Sequence, residues 1–592
     1  MTHLERIQVG GLEFTVSADS PQDLAIDLSV EPMAWLPDTH LLRCRLEVTG
    51  GGPLTLDELS FRWSVPAIDM HGLYSGPPSP EELTRLPYWQ FQKRSAASTG
   101  FPFVSLFHRG GENRFAFGLV DQVTATALDA TLSEATRTYA FHWHKPIRPS
   151  RLTVPEWTES LFVSAAHSPW PDVLRAYVET VDREWPQPRL PVPDFAYDPV
   201  FCTWTAIHHD VSADWIGRNA QLAADLGFGT WLTDDGWFTD RGEFADYAHA
   251  GDWRPSAGKF PDFAAHVAAV QALGVRYVLW VSPFMVGDAS EAAGRYAHLL
   301  TDSTRNLRYR NLDPRLAPTA TVVGDLVERL IGDFGLDGLK IDFIDSIALD
   351  DAGGDGDLGT VGAGVYAALG DAVDRAVRLR PDVLIEFRNT YSNLASRRYA
   401  NLYRASDVPL NFAANRWQAT TLRLLAPDRA VHLDPALWHP DDTDENVAVH
   451  LINVISSVPT ISVELDRYPQ SHLDLIRYWI GFYRQHRDTI VHGEFAPEWR
   501  SGQFPLIRFG GADETILGVY DDIALTLGDT DERTWVLNAS TRPYVELLPN
   551  ELSGPRRVRT LDKFGQSVSE QDLVFPVARL PVEVGGSLEI EA

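Results

Sequence analysis

Apolar and polar positions change rhythm twice along the chain. From residue 1 to about 165, short runs alternate side by side between turn residues, as in Leu41–Val48 and Arg114–Val120. A period of two sends one face of a strand to a core and the other to water, so this part predicts a β-sandwich. A stretch of helical period, Trp170–Glu184, follows. Trp185-Pro186-Gln187-Pro188-Arg189-Leu190-Pro191-Val192-Pro193 then breaks the pattern, which predicts a domain boundary near residue 190.

Beyond the prolines, apolar runs of strand length alternate with stretches of helical period. Strands are predicted to start near Val200, Gly229, Val275, Gly338, Val383, Asn401, Ala430 and Pro459. Helical stretches include Phe263–Leu273, Thr321–Phe334 and Val361–Leu379. Eight strand-then-helix units over about 300 residues predict a (β/α)8 TIM barrel, an α/β fold with a parallel sheet. A doubly wound sheet is the alternative, but no Gly-rich phosphate loop follows the first strand. Strand-like runs return after about residue 495, in Thr515–Tyr520, Thr534–Asn538 and Leu588–Ile590. The expected organisation is an N-terminal β-sandwich over 1–190, a catalytic barrel over 191–494 and a small C-terminal β-sandwich over 495–592.

Composition narrows the function classes. At 592 residues the chain is too long for one core. A formal net charge of −30 disfavours nucleic acid and anionic membranes as partners. Two cysteines, Cys44 and Cys202, make no disulfide framework, and inert burial is expected for Cys202. The N-terminus lacks signal-peptide character and no apolar run reaches membrane-spanning length, which makes a soluble cytoplasmic protein the expectation. Gly353–Asp357 reads as a flexible acidic loop, since its spacing does not suit calcium. Zinc, P-loop and serine-elbow motifs are not found, and His208-His209 reads as a feature of a loop at a helix start.

The candidate chemistry lies at the predicted strand ends. In Gly338-Leu339-Lys340-Ile341-Asp342, strand alternation sends Lys340 and Asp342 to the same face. In a parallel barrel that end opens on the active site, and a cation beside a carboxylate keeps it ionised. Asp345 reads as a helix cap. Trp231-Leu232-Thr233-Asp234-Asp235-Gly236-Trp237 places two carboxylates beside tryptophans, a set suited to accepting hydrogen bonds from vicinal sugar hydroxyls; a cap on the next helix or turn is the plainer reading. Trp253, in Gly251-Asp252-Trp253, is either a sugar-site wall or an ordinary loop residue. Trp204 and Trp280 add further flat rings. Tyr403-Arg404-Ala405-Ser406-Asp407 supplies a second carboxylate, Asp407, with a helix N-cap as its plainer role. Two carboxylates flanking one anomeric carbon are what glycoside cleavage requires.

The order Asp-Asp-Gly-Trp-Phe, Gly-Asp-Trp with Lys-Phe-Pro, Lys-x-Asp and Ser-Asp resembles glycoside hydrolase family 36 of clan D, whose best-known members are retaining α-galactosidases. The resemblance covers about residues 200–470. It implies that Asp342 is the nucleophile and Asp407 the acid/base. It further implies that Asp234 and Asp235 bind the hydroxyls at C4 and C6, that Lys340 contacts the C3/C4 side, and that Trp253 lines the pocket. Arg308 or Arg310 falls near a family arginine, and Arg310 joins the expected site with Arg404. Three segments depart from the family. Trp280-Val281-Ser282-Pro283-Phe284 stands where Trp-x-Glu-Pro-Glu is usual. Glu386-Phe387-Arg388-Asn389-Thr390-Tyr391-Ser392-Asn393 replaces a Cys-Ser-x-Gly-Gly-Gly-Arg loop that normally faces C2, and Ser406-Asp407-Val408-Pro409-Leu410 replaces Ser-Asp-Asn-Thr-Asp. The mechanism is expected to survive, while Glu386 and Arg388 would meet a differently substituted C2 or an anionic substituent.

The expectation is therefore a retaining α-glycosidase acting on α-galactosides or a related galacto-configured glycoside. A transglycosylase or a non-catalytic carbohydrate-binding protein are the alternatives. The expected partner is an oligosaccharide or other glycoside. No metal or organic cofactor is expected, and self-association is left open.

Overall fold

The computed structural model describes residues 1–76, 89–146, 153–154, 156–240, 247–301, 308–348, 359–527, 533–548 and 554–591. The expected acidic loop Gly353–Asp357 lies outside them. The N-terminal part is a sandwich of two six-stranded antiparallel sheets. Alternation fills the space between them: Phe61, Trp63 and Val65 face inward from one strand, and Trp63 stacks on Phe14 and Phe141 with ring centroids 5.1 and 5.3 Å apart. Cys44 is buried in this core.

Helix Trp170–Glu184 links the sandwich to the barrel. Proline occupies its first turn, where no backbone donor is needed. It buries Trp170, Leu174, Tyr177 and Val181, and the Tyr177 hydroxyl donates to the Leu119 carbonyl at 2.5 Å.

The barrel has eight parallel strands, labelled β1 Val200–Cys202, β2 Thr230–Thr233, β3 Arg276–Val281, β4 Gly338–Ile341, β5 Leu384–Arg388, β6 Leu402–Arg404, β7 Ala430–His432 and β8 Thr460–Ile461. Each begins within one residue of its predicted start. Strands β1 to β7 pair in chain order, and β8 pairs with β1. A parallel bridge between His432 and Val458 completes the circuit, with the Leu433 amide donating to the Val458 carbonyl at 3.0 Å. Val200, Cys202, Leu232, Val278, Leu384, Leu402 and Ala430 fill the lower interior. This packed layer closes the barrel to passage and leaves the C-terminal strand ends as the place for polar chemistry.

A seven-stranded and a three-stranded sheet form the C-terminal β-sandwich, which begins at strand Glu494–Arg500. A cavity of about 1080 Å³ opens where sandwich, barrel and C-terminal sheets meet, lined by Arg175, Tyr197, Arg429, Val431, His492 and Trp499 among others. It lies against the entry end of β7, away from the carboxylates at the strand exits.

Candidate active site

Strand alternation along β4 sends Leu339 and Ile341 into the helix layer and Lys340 inward, with Asp342 one step beyond the strand. Asp342 is 6% exposed. Its Oδ2 accepts from the Trp280 indole at 3.0 Å, and its Oδ1 accepts from the Tyr391 hydroxyl at 2.5 Å and from the Phe343 amide at 2.7 Å. Arg388 Nε lies 3.3 Å from Oδ1. Burial works to raise this carboxyl, but Arg388 first, then Lys340 and the two side-chain donors, hold it well below the usual carboxylate range. Phe343 takes the left-handed conformation at φ 56°, a strained choice for an aromatic residue that turns its amide back onto Asp342.

Lys340 pairs elsewhere than the sequence suggested. Its ammonium donates to Asp234 Oδ2 at 2.6 Å, and Arg388 is the cation in contact with Asp342. Burial disfavours the ammonium, but Asp234 beside it keeps its pKa above the usual value. Asp234 and Asp235 follow β2 and are both buried. Asp234 Oδ1 accepts the Asp235 amide, while Asp235 accepts from the Gly236 amide at 2.6 Å and sits 3.0 Å from His209 Nε2. Gly236 has φ 95°, and a Cβ there would lie 2.6 Å from the His209 backbone. Among the described residues neither aspartate caps a helix.

Asp407 follows β6 and is half exposed, with Arg404 Nη2 at 3.1 Å on Oδ1 and Arg388 Nη1 at 3.1 Å on Oδ2. What burial it has tends to raise it, yet Arg404 and then Arg388 hold it below the ordinary range. The next helix, Phe412–Leu425, is capped by Asn411, so Asp407 is no N-cap. Arg404 does not point out toward a ligand as expected. It is 2% exposed and is held by Asp434, Asp407 and, at 3.7 Å, Glu386. Glu386 is likewise withdrawn: it is 1% exposed and accepts from His432 Nδ1 at 2.9 Å. Both are buried inside the barrel, next to each other.

Trp280 lies against Asp342 through its indole. Trp253 is 1% exposed and packs edge-on to Phe238 and Trp280, so it backs the wall from behind. Trp204 is half-buried just past β1, its ring edge-on to His208 and His209. Arg310 lies in a small two-stranded antiparallel sheet, Tyr309–Asn311 against Met285–Gly287, which Asn311 ties to the Ser346 carbonyl. Among the described residues no contact places Arg310 on the carboxylates. Asp345 lies inside the short 3-10 turn Ile344–Ser346 and caps no helix among the described residues; it accepts from Thr390 at 3.0 Å and lies 3.8 Å from Arg388.

Two contributors were not singled out from sequence, and a third, His209, reads there only as part of a loop at a helix start. Tyr391 and His209 hold carboxylates directly. Asp434, just past β7, binds Arg404 and accepts the Val408 amide at 2.7 Å, and burial pushes its carboxyl up to about 7. Its place at a strand exit, in Leu433-Asp434-Pro435, was the available signal.

A TIM barrel with an ionised, triply held aspartate past β4 and a second carboxylate past β6 has the make-up of a glycoside hydrolase. Residues 195–340 match the family model described as Melibiase. Together with the fold, this match makes the chain a glycoside hydrolase by class and one that resembles family 36. The whole chain superposes on the family 36 α-galactosidase AgaA of Geobacillus stearothermophilus with a TM-score of 0.66 at 13% identity, covering 100% of this chain and 86% of that one. An α-galactosidase of Lactobacillus brevis gives 0.63 at 15% identity, with 100% and 85% coverage. The α-galactosidase TtGalA of Thermus thermophilus, solved with p-nitrophenyl α-D-galactopyranoside, gives 0.52 at 16% identity over 81% of this chain and 94% of that one. At these identities the superpositions establish the shared fold. Among curated protein sequences none matches the chain.

Proposed function

We propose that the protein is a retaining α-glycosidase for α-galactosides or a closely related galacto-configured glycoside. One observation carries the reading: Asp342 is buried at a barrel strand exit, yet three donors and Arg388 keep it ionised and aimed. A buried carboxylate held ionised in this way is suited to nucleophilic attack. Asp342 attacks C1 while the bond from C1 to the glycosidic oxygen breaks, and Asp407 gives that oxygen its proton. Asp407 then takes a proton from water, whose oxygen attacks C1 and frees Asp342. Asp234 and Asp235, with Lys340 between strands, offer acceptors and a donor for ring hydroxyls. The co-structures of AgaA with stachyose and with raffinose support an oligosaccharide as the substrate.

Chemical rescue tests the reading. Asp342→Gly with an activated aryl α-galactoside should be inert alone and should form β-galactosyl azide when azide is supplied. Full activity of Asp342→Gly without azide would remove the nucleophile and the mechanism with it.

A further inference from the structure

Arg388 ends β5, and its guanidinium lies between the two carboxylates proposed for catalysis, at 3.3 Å from Asp342 and 3.1 Å from Asp407. Asp345 stands 3.8 Å away on a third side, and the rings of Phe343 and Tyr391 flank the guanidinium at 5.5 and 5.8 Å from centroid to carbon. Whatever carbon is attacked by Asp342 and has its leaving oxygen protonated by Asp407 must therefore lie beside this cation. A neutral sugar offers this cation only hydroxyl acceptors, whereas an anionic group offers a charge-assisted contact about twice as strong.

The same contact conflicts with acid catalysis. Two guanidinia on one carboxylate draw its pKa down, against the need for an acid that carries a proton. Arg404 is committed, because it is buried with its Nη1 donating to Asp434 and its Nε 3.7 Å from Glu386. Arg388 is the one that an incoming group can engage, since among the described residues its other carboxylate partners are the nucleophile and Asp345 at 3.8 Å.

We infer that the glycoside turned over here carries an anionic group, a carboxylate, sulfate or phosphate, on or next to its anomeric carbon, and that Arg388 receives it. This deepens the glycosidase reading and rests on it. The anion takes over Arg388 Nη1, the donor that holds Asp407, and releases Asp407. Asp407 then binds a proton from solvent, so the arriving negative charge is cancelled within the site. That proton passes to the glycosidic oxygen as the bond from C1 breaks. Substrate binding and arming of the acid become one event.

The anion could sit on the sugar or on the aglycone, and matched substrates separate the two. Purified full-length protein is assayed with an aryl α-galactoside, its 2-O-sulfate, and an analogue bearing an ortho-carboxylate on the aryl group. At least one anionic substrate should exceed the neutral parent in kcat/KM by about tenfold or more, the scale of one charge-assisted hydrogen-bonded contact. Its KM should rise as pH increases, because binding takes up a proton. Arg388→Met should abolish the advantage, and Arg388→Lys should keep part of it, with unfolding midpoints recorded for both. Equal rates on all three substrates would overturn the inference and leave the glycosidase reading standing. Retention of the anionic advantage in Arg388→Met would overturn it as well. Inertness toward every one of the three would remove the glycosidase reading and this inference together.

Discussion

Lys340 Nζ donates to Asp234 Oδ2 at 2.6 Å across the barrel mouth, joining the exits of β4 and β2 with both side chains under 5% exposed. A buried pair of this kind adds little net stability when intact, but losing one partner strands a charge. Lys340→Met should cost about 3–5 kcal/mol, and Lys340→Met with Asp234→Leu should recover much of it. Thermal unfolding of the three proteins measures this. A single variant as stable as the parent would mean that the pair is not closed in solution.

Tyr391 gives Asp342 its shortest hydrogen bond, 2.5 Å to Oδ1. Deleting a donor to a charged acceptor is worth about 1.5–3 kcal/mol, which corresponds to about one to two pH units in the acceptor's pKa. Asp342 must be ionised to attack, so Tyr391→Phe should move the acid limb of kcat/KM to higher pH by that interval. The folded-state pKa of Asp342 is depressed, so its contribution to stability is present above the ordinary aspartate range and is lost as pH falls through the folded value. Tyr391→Phe should bring that loss on at higher pH. An unmoved acid limb would assign it to another group.

Asp434 behaves in the opposite sense. Burial is the largest influence on it, and its carboxyl titrates at about 7 against an ordinary 3.8. The folded state therefore holds a proton that the unfolded chain releases. The associated stability is full below about pH 4 and is lost as pH rises through 7. Asp434→Asn cannot titrate, so its stability should be flatter than that of the parent between pH 5 and 7. Unfolding midpoints at several pH values in that range give the comparison. Identical slopes would mean that Asp434 is already ionised there.

The barrel was legible because each strand is a short apolar run set between helical stretches, and its start follows from that contrast within one residue. Asp342 and Asp407 were legible as acidic residues at strand exits. The pairing inside the site was not. Sequence puts Lys340 two residues from Asp342 on one face, but the side chain reaches 106 residues back to Asp234, a choice made by inter-strand geometry. Arg404 and Glu386 looked like ligand-facing residues and proved to be mutual partners in the barrel interior. Alternation gives inward or outward direction, but not depth, and depth decides whether a charged side chain meets substrate or another charge. Trp253, open in sequence between a site wall and a loop residue, is buried edge-on against Trp280.

Asp407 is half exposed, and its proposed role is to protonate the leaving oxygen. The need for that proton depends on the leaving group. Asp407→Ala should lower kcat/KM by about 100-fold or more on a substrate with a sugar aglycone, the range usual for general acid catalysis. A dinitrophenyl glycoside leaves without a proton, so formation of its glycosyl intermediate should be nearly unaffected. The variant should then accumulate that intermediate, because hydrolysis still needs the base. A burst of dinitrophenolate followed by slow turnover is the expected trace. Azide needs no deprotonation, so adding it should restore turnover and give α-galactosyl azide with retained configuration. Equal losses on both substrates, with no burst and no azide product, would place the acid/base on another residue.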